Sequence, residues 1–378
     1  MQAPVAVLFA NLKGNLGDFA ILQAMLEDLS RRFPESPLQV VPHPLTDIDH
    51  TNLESFRRNA PAFEIVGPPY RFKYPFFLKW MTHTGYWSAV QSAQVHSLSR
   101  RWAKDAEKFS GHKAIVVAGG DQWGGVNLAT TMIATVRAIS ISNRNIHGYP
   151  FSLSPDVERL NSAKSFRLTF ASMSPSLIAR DKMTHRMLSS FGVSASLGVD
   201  CVFSLQDLAE GIAPAEGRRS DRVIFMVTGK DCQQETIGSI SALLSEGIPV
   251  ELVSTSPPED VASFRSIGRA LDIPVHMPGT WQDAVAELKA SSLVVTNRLH
   301  AIVFSSFGDA AVLPVADRAK AAALATDMGI TQTVPDVASA TPRIVRATLA
   351  NRASISGAMH QYRRGSRTEI WSPFHPVP

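Results

Sequence analysis

Short apolar runs alternate along this chain with longer segments whose apolar residues recur every three or four positions. Val5 to Asn11 is an apolar run ending in a Gly-containing loop, which predicts a buried strand. Asp18 to Phe33 then places Phe19, Leu22, Met25, Leu26 and Leu29 on one helical face. The switch from strand period to helix period is that of a βα unit. It recurs at Ala114 to Ala118, followed by GGDQWGG and a helix to about Ser142, and at Phe166 to Ala171, followed by a helix over Ser174 to Phe191. Ser194 to Phe203 reads as an extended closing segment.

Leu208 to Asp221 is polar and carries Gly, Pro, Glu and Arg, as an interdomain linker does. A second series follows. Strands are predicted at Arg222 to Val227, Pro249 to Ser254 and Leu293 to Thr296. Helices are predicted at Gln233 to Leu244, Pro258 to Leu271, Gln282 to Ala290, Leu299 to Phe307 and Lys320 to Met328. Alternation twice over predicts an α/β chain with two Rossmann-like domains facing a cleft. The expected boundaries are 1–207, 222–341 and a helical tail over 342–378 that crosses back to the first domain. Pro68 to Trp87 breaks the pattern with eight aromatic residues and the bases Arg71, Lys73 and Lys79, and reads as an insertion. It is a candidate for acceptor or membrane contact, or else for packing into the core.

Composition narrows the class. The chain has 378 residues, 45% hydrophobic and 19% charged, which suits two globular domains. A net charge of +4 suits an anionic small substrate or an acidic membrane face better than nucleic acid. Two distant cysteines, Cys201 and Cys232, fit a reducing compartment. Val5 to Ala10 is too short for a signal-peptide core, and Ala301 to Ala316 is too broken to span a bilayer. The expected location is therefore the cytoplasm, with peripheral contact at the inner membrane face as an extension of that reading. His43, Asp47, Asp49 and His50 have metal-ligand chemistry but no recognised zinc spacing. No metal and no cofactor is expected.

The chemistry concentrates in SSLVVTNRLHAIVFSSFG, Ser291 to Gly308. A strand ends at Thr296, and Asn297, Arg298 and His300 stand at its C-terminal mouth, where open α/β sheets bind ligands. Arg298 offers a planar fork to phosphate or carboxylate, and His300 can carry a proton near neutral pH. Pattern alone leaves open that both merely cap a helix and form ion pairs.

NRLHA followed by a small-residue helix is similar to the C-domain motif of the polysaccharide pyruvyl transferases. Other segments resemble that family in the expected order: KGNLGD (Lys13 to Asp18), AGGD (Ala118 to Asp121), SLIARDKMTHRMLSSFGV (Ser176 to Val193) and VDCVFSL (Val199 to Leu205). Lys320 matches a lysine downstream of the family's Arg-x-His. The second loop departs, reading GGDQW rather than three glycines, and HGYPFSLSP (His147 to Pro155) stands where the family often has a Gly-rich segment.

The resemblance implies a fold like the GT-B glycosyltransferases and transfer of pyruvate from phosphoenolpyruvate to two hydroxyls of a sugar. The product is a cyclic ketal of a surface polysaccharide or exopolysaccharide. The expected acceptor is a nucleotide sugar, a lipid-linked oligosaccharide or a glycan. His300 and Arg298 are then the expected catalytic pair. Arg180, Arg298, Lys320 and Asn297 are the expected donor-binding set. Asn15, Asp18, Gly119, Gly120 and Asp121 are expected on the acceptor side, with Asp18 at the N-cap of the first helix. Two other readings stand beside this one: a GT-B glycosyltransferase using a nucleotide sugar, and a non-catalytic sugar- or phosphate-binding protein.

Overall fold

Strand β1, Val5–Ala10, is buried along its whole length, as its unbroken apolar run requires. In this computed structural model it is the middle strand of a five-stranded parallel sheet. Beside it lie β2 (Leu38–Pro42) and β4 (Ala114–Val117), with β3 (Glu64–Ile65) and β6 (Ile146–Gly148) at the edges. The order is β3-β2-β1-β4-β6, with every pairing parallel. Helix α1, Leu16–Arg32, makes the first crossover; α2 (His50–Arg57), α3 (Trp87–Ala106) and α4 (Val126–Ser140) follow. The structure describes residues 2–43, 47–67, 87–123, 126–153, 169, 177–217, 221–227, 233–366 and 371–374. All but Trp87 of the insertion expected over Pro68 to Trp87, and most of the strand expected over 166–171, fall outside them.

A second, four-stranded parallel sheet has the order β5-β7-β8-β9, with β5 at Gly120–Trp123, β7 at Phe151–Leu153, β8 at Ile178–Ala179 and β9 at Ser196–Leu197. Three expectations change here. GGDQW is not only a loop, because Gly120–Trp123 pairs with Phe151–Leu153. The helix expected from Ser174 is shorter: α5 runs over Lys182–Ser190 because the Asp181 side chain accepts from Thr184 N and fixes its start. The extended segment expected over Ser194 to Phe203 is likewise only β9, followed by a 3₁₀ turn at Cys201–Leu205.

The C-terminal half repeats the first topology. After α6 (Gln206–Glu210), a five-stranded parallel sheet has the order β12-β11-β10-β13-β14. Its strands are β10 (Val223–Met226), β11 (Val250–Val253), β12 (Val275–His276), β13 (Leu293–Thr296) and β14 (Ala311–Pro314). The crossovers are α7 (Gln233–Ser245), α8 (Pro257–Leu271), α9 (Trp281–Lys289), α10 (Leu299–Ser305) and α11 (Ala319–Asp327). Helices α12 (Pro342–Ala350) and α13 (Arg352–Gly365) pack on β14. Buried Arg222, just before β10, is matched by Glu287 at 2.6 Å and by Glu251. This buried cation braces the N-terminal edge of the sheet, which leaves the opposite edge for a ligand.

Contacts divide the chain into two units. One holds Met1–Lys13, Ile21–Cys201 and Glu369–Pro378; the other holds Gly14–Ala20 and Val202–Thr368. In the first unit, Ser372 and Tyr149 both donate to Oδ2 of buried Asp28, which ties the chain's last described residues to that core. Among the described residues no helix is long and apolar enough to cross a membrane.

Candidate functional site

In the second unit the strand order reverses direction between β10 and β13, so the C-terminal ends of these strands border the switch-point crevice. Asn297, Arg298 and His300 follow β13 at that place. Asn297 is 1% exposed, and its amide donates to Asp317 at 3.0 Å, joining the turn after β13 to the turn after β14. Arg298 sits at the N-cap of α10 in extended conformation, with its backbone N–H donated to Thr296 Oγ1 at 3.0 Å. His300 lies in the first turn of α10, half-buried, with its ring 6.2 Å from that of Phe304.

The Arg298 guanidinium is 10% exposed and forms an ion pair with Asp260 in the first turn of α8. Asp260 also accepts from Ser254 Oγ, and Ser254 Oγ accepts from Ser256 N at 2.9 Å. Burial works against the charge on Arg298; Asp260 and Glu259 oppose that effect, while Arg318 adds to it. Burial likewise raises the Asp260 carboxyl above its usual range, against the pull of Arg298 and Ser254. Each charge therefore offsets part of the cost of burying the other, and burial remains the larger effect on both. The sequence reading missed Asp260, because nothing local in PPED marks it as the partner of an arginine 38 positions away.

The segment Gly14–Ala20 belongs to the same unit. Leu16 N donates to Thr255 O at 2.8 Å, between Ser254 and Ser256. Gly17 stands against His300: a Cβ there would overlap the imidazole and lie 2.8 Å from the His300 Cβ. Asn15 precedes α1, and its Oδ1 accepts from Gly17 N at 2.9 Å. This corrects the expected cap. Asn15 caps the helix, and Asp18 is an acid of the first turn, where it favours the positive helix end. Lys320 is half-buried in the first turn of α11, a helix that packs against α10.

The remaining residues of the expected site lie in the first unit. Arg180, just after β8, is 9% exposed and pairs with Asp200 at 2.9 Å, while its Nε donates to Ser152 at 3.0 Å. Its sequence neighbour Asp181 is occupied with Thr184 and Ser152. Gly119 and Gly120 follow β4. A Cβ on Gly119 would meet Pro150 O at 2.7 Å, and Gly120 has φ of 94°, so both positions require glycine. Asp121 lies in β5.

Residues 15–307 match the family model described as polysaccharide pyruvyl transferase. The chain belongs to that family. The matched span includes Asn15, Gly17, Arg180, Asp260, Arg298 and His300, and stops before Lys320. No curated protein matches the sequence significantly. Among solved structures, a UDP-GlcNAc 2-epimerase from Methanocaldococcus jannaschii, in complex with UDP-GlcNAc and UDP, aligns with a TM-score of 0.61 and 11% identity, covering 96% of this chain and 98% of that one. The Neisseria meningitidis UDP-GlcNAc 2-epimerase bound to UDP-GlcNAc gives 0.55 at 11% identity, over 95% and 94%. Phytolacca americana UGT2, complexed with UDP-2fluoro-glucose and pterostilbene, gives 0.55 at 10% identity, over 97% and 95%. At such identities the likeness is one of fold, and this family member has a GT-B-like fold of two Rossmann-like halves.

Proposed function

We propose that this transferase moves pyruvate from phosphoenolpyruvate to two hydroxyls of a sugar and forms a cyclic ketal. The observation that carries the reading is the placement of Arg298 and His300 together at the C-terminal end of β13, with the Asn15–Gly17 turn against His300. Phosphoenolpyruvate carries a phosphate and a carboxylate, and Arg298 can meet either in a forked contact. Lys320 supplies a point charge to the same anion, and Arg180 is the further cation that the family motif assigns to it.

The chemistry asks for a proton before it asks for a nucleophile. His300 gives a proton to the methylene carbon, which leaves the positive character on the central carbon. A sugar hydroxyl attacks that carbon, and its O–H proton passes to a base. The C–O bond to phosphate breaks, with Arg298 and Lys320 stabilising the departing anion. The second hydroxyl closes the ring on the same carbon. Of the two hydroxyl protons, one restores the acid and the other leaves with phosphate. Asn15, Asp18 and Asp121 are the groups proposed to hold the sugar, and a carboxylate among them is the proposed base. The acceptor is a nucleotide sugar, a lipid-linked oligosaccharide or a glycan of surface-polysaccharide synthesis.

Incubation with phosphoenolpyruvate and a panel of such acceptors tests the reading. Mass spectrometry should find a pyruvate ketal, with one phosphate released for each ketal formed. Phosphoenolpyruvate left intact beside every acceptor, with nucleotide sugars consumed instead, would point to the glycosyltransferase alternative.

A further inference from the structure

Arg298 does not stand on its own strand's resources. It follows β13, while Asp260 and Ser254 follow β11, and β10 lies between these two strands. Neighbouring strands lie about 4.8 Å apart, so the pair closes a gap of roughly 10 Å over the end of β10. An arginine side chain spans much of that distance, but its several rotatable bonds must be fixed, so it needs a fixed partner at the far end. Asp260 is that partner, and it is itself fixed. It is 4% exposed, and Ser254 Oγ donates to its second oxygen. Ser254 is held in turn by Ser256 N at 2.9 Å.

We propose that Asp260, backed by Ser254, is a positioning residue of the transfer reaction, holding the Arg298 guanidinium in register with the anionic donor. The inference rests on the donor reading given above and adds a residue to it. The carboxylate takes Nη2 of Arg298, whereas Nε has no hydrogen-bond partner among the described residues. The guanidinium is thus oriented without being saturated, as a group that must still bind an anion should be. The same turn does a second task, since Thr255 O accepts from Leu16 N at 2.8 Å. One three-residue turn, Ser254 to Ser256, therefore sets both the Arg298 anchor and the start of the helix whose Gly17 faces His300.

Calorimetric titration of the full chain with phosphoenolpyruvate tests this, using wild type, Asp260→Asn, Ser254→Ala, Arg298→Ala and the Asp260→Asn/Arg298→Ala double variant. Asp260→Asn keeps the shape and removes the charge; it should weaken binding about tenfold or more, and Ser254→Ala roughly threefold. In the Arg298→Ala background, Asp260→Asn should cost less than about twofold, because a residue that acts through Arg298 has nothing left to orient. A purely structural role would instead give the same loss in both backgrounds, and that result overturns the proposal. So does a folded Asp260→Asn variant that binds as tightly as wild type. If Asp260→Asn does not fold, Ser254→Ala decides: binding equal to wild type overturns the proposal. Wild-type protein that binds no phosphoenolpyruvate overturns the donor reading first, and this one with it.

Discussion

Gly17 and His300 are in contact range, and the absence of a side chain on Gly17 is what admits the imidazole. A Cβ on Gly17 would come to 2.8 Å from the His300 Cβ and closer still to the ring. Flexible side-chain tips can swing away from such an overlap, but the His300 Cβ is fixed to its helix. Gly17 also lies in the first turn of a helix, where glycine has no advantage in propensity over alanine. Helix propensity therefore does not explain glycine here, and room for His300 does.

Gly17→Ala should lower turnover about tenfold or more by displacing the proposed acid. Steady-state kinetics on a variant with a native circular dichroism spectrum measures this. Unchanged turnover would mean that the ring has no fixed place against the Asn15–Gly17 turn.

Asn15 caps α1 through Gly17 N. Asn15→Ala should cost about 1 kcal/mol of stability, and Asn15→Asp should recover most of it, since both native and replacement side chains offer an acceptor oxygen. Thermal melts of the three proteins give the comparison. Equal stability of wild type and Asn15→Ala would remove the cap.

Burial holds the His43 imidazole down to about 4, from an ordinary value of 6.5. The folded state then favours neutral His43, and the unfolded chain binds the extra proton. This contribution to stability is complete above pH 6.5 and is lost as the pH falls towards 4, by about 3 kcal/mol in all. Burial lowers His112 and His147 in the same sense. His43→Gln should flatten the acid side of the stability profile between these limits. Chemical denaturation at a series of pH values tests it, and an unaltered slope would show that His43 does not titrate with unfolding.

The parts of this fold written in local sequence were legible. Leu293–Thr296 is a strand at the very residues its apolar run marks, because a buried parallel strand needs no other signal. Arg298 and His300 stood out because polar residues break that run where ligands bind. Short strands were less legible. Val275–His276 and Ala311–Pro314 each owe their state to the neighbour they pair with, and Gly120–Trp123 carries glycine and aspartate that read as a turn. Capping was read one turn of helix too late at Asp18, since both Asn15 and Asp18 are good cap residues and only geometry separates them. The Asp260–Arg298 and Arg180–Asp200 pairs lie beyond any local pattern, because each joins turns brought together by strand order or by a separate sheet.

The central claim is that His300 protonates the methylene carbon of phosphoenolpyruvate on the way to a ketal. Running the reaction in D₂O, with product isolated in H₂O and analysed by mass spectrometry, tests it most directly. Hydroxyl deuterium washes out, while carbon-bound deuterium stays. The account predicts one deuterium in the methyl group of each ketal, and formation slowed by roughly 100-fold or more in a folded His300→Ala variant. A ketal without deuterium, or a His300→Ala variant that forms it at the wild-type rate, would contradict the account.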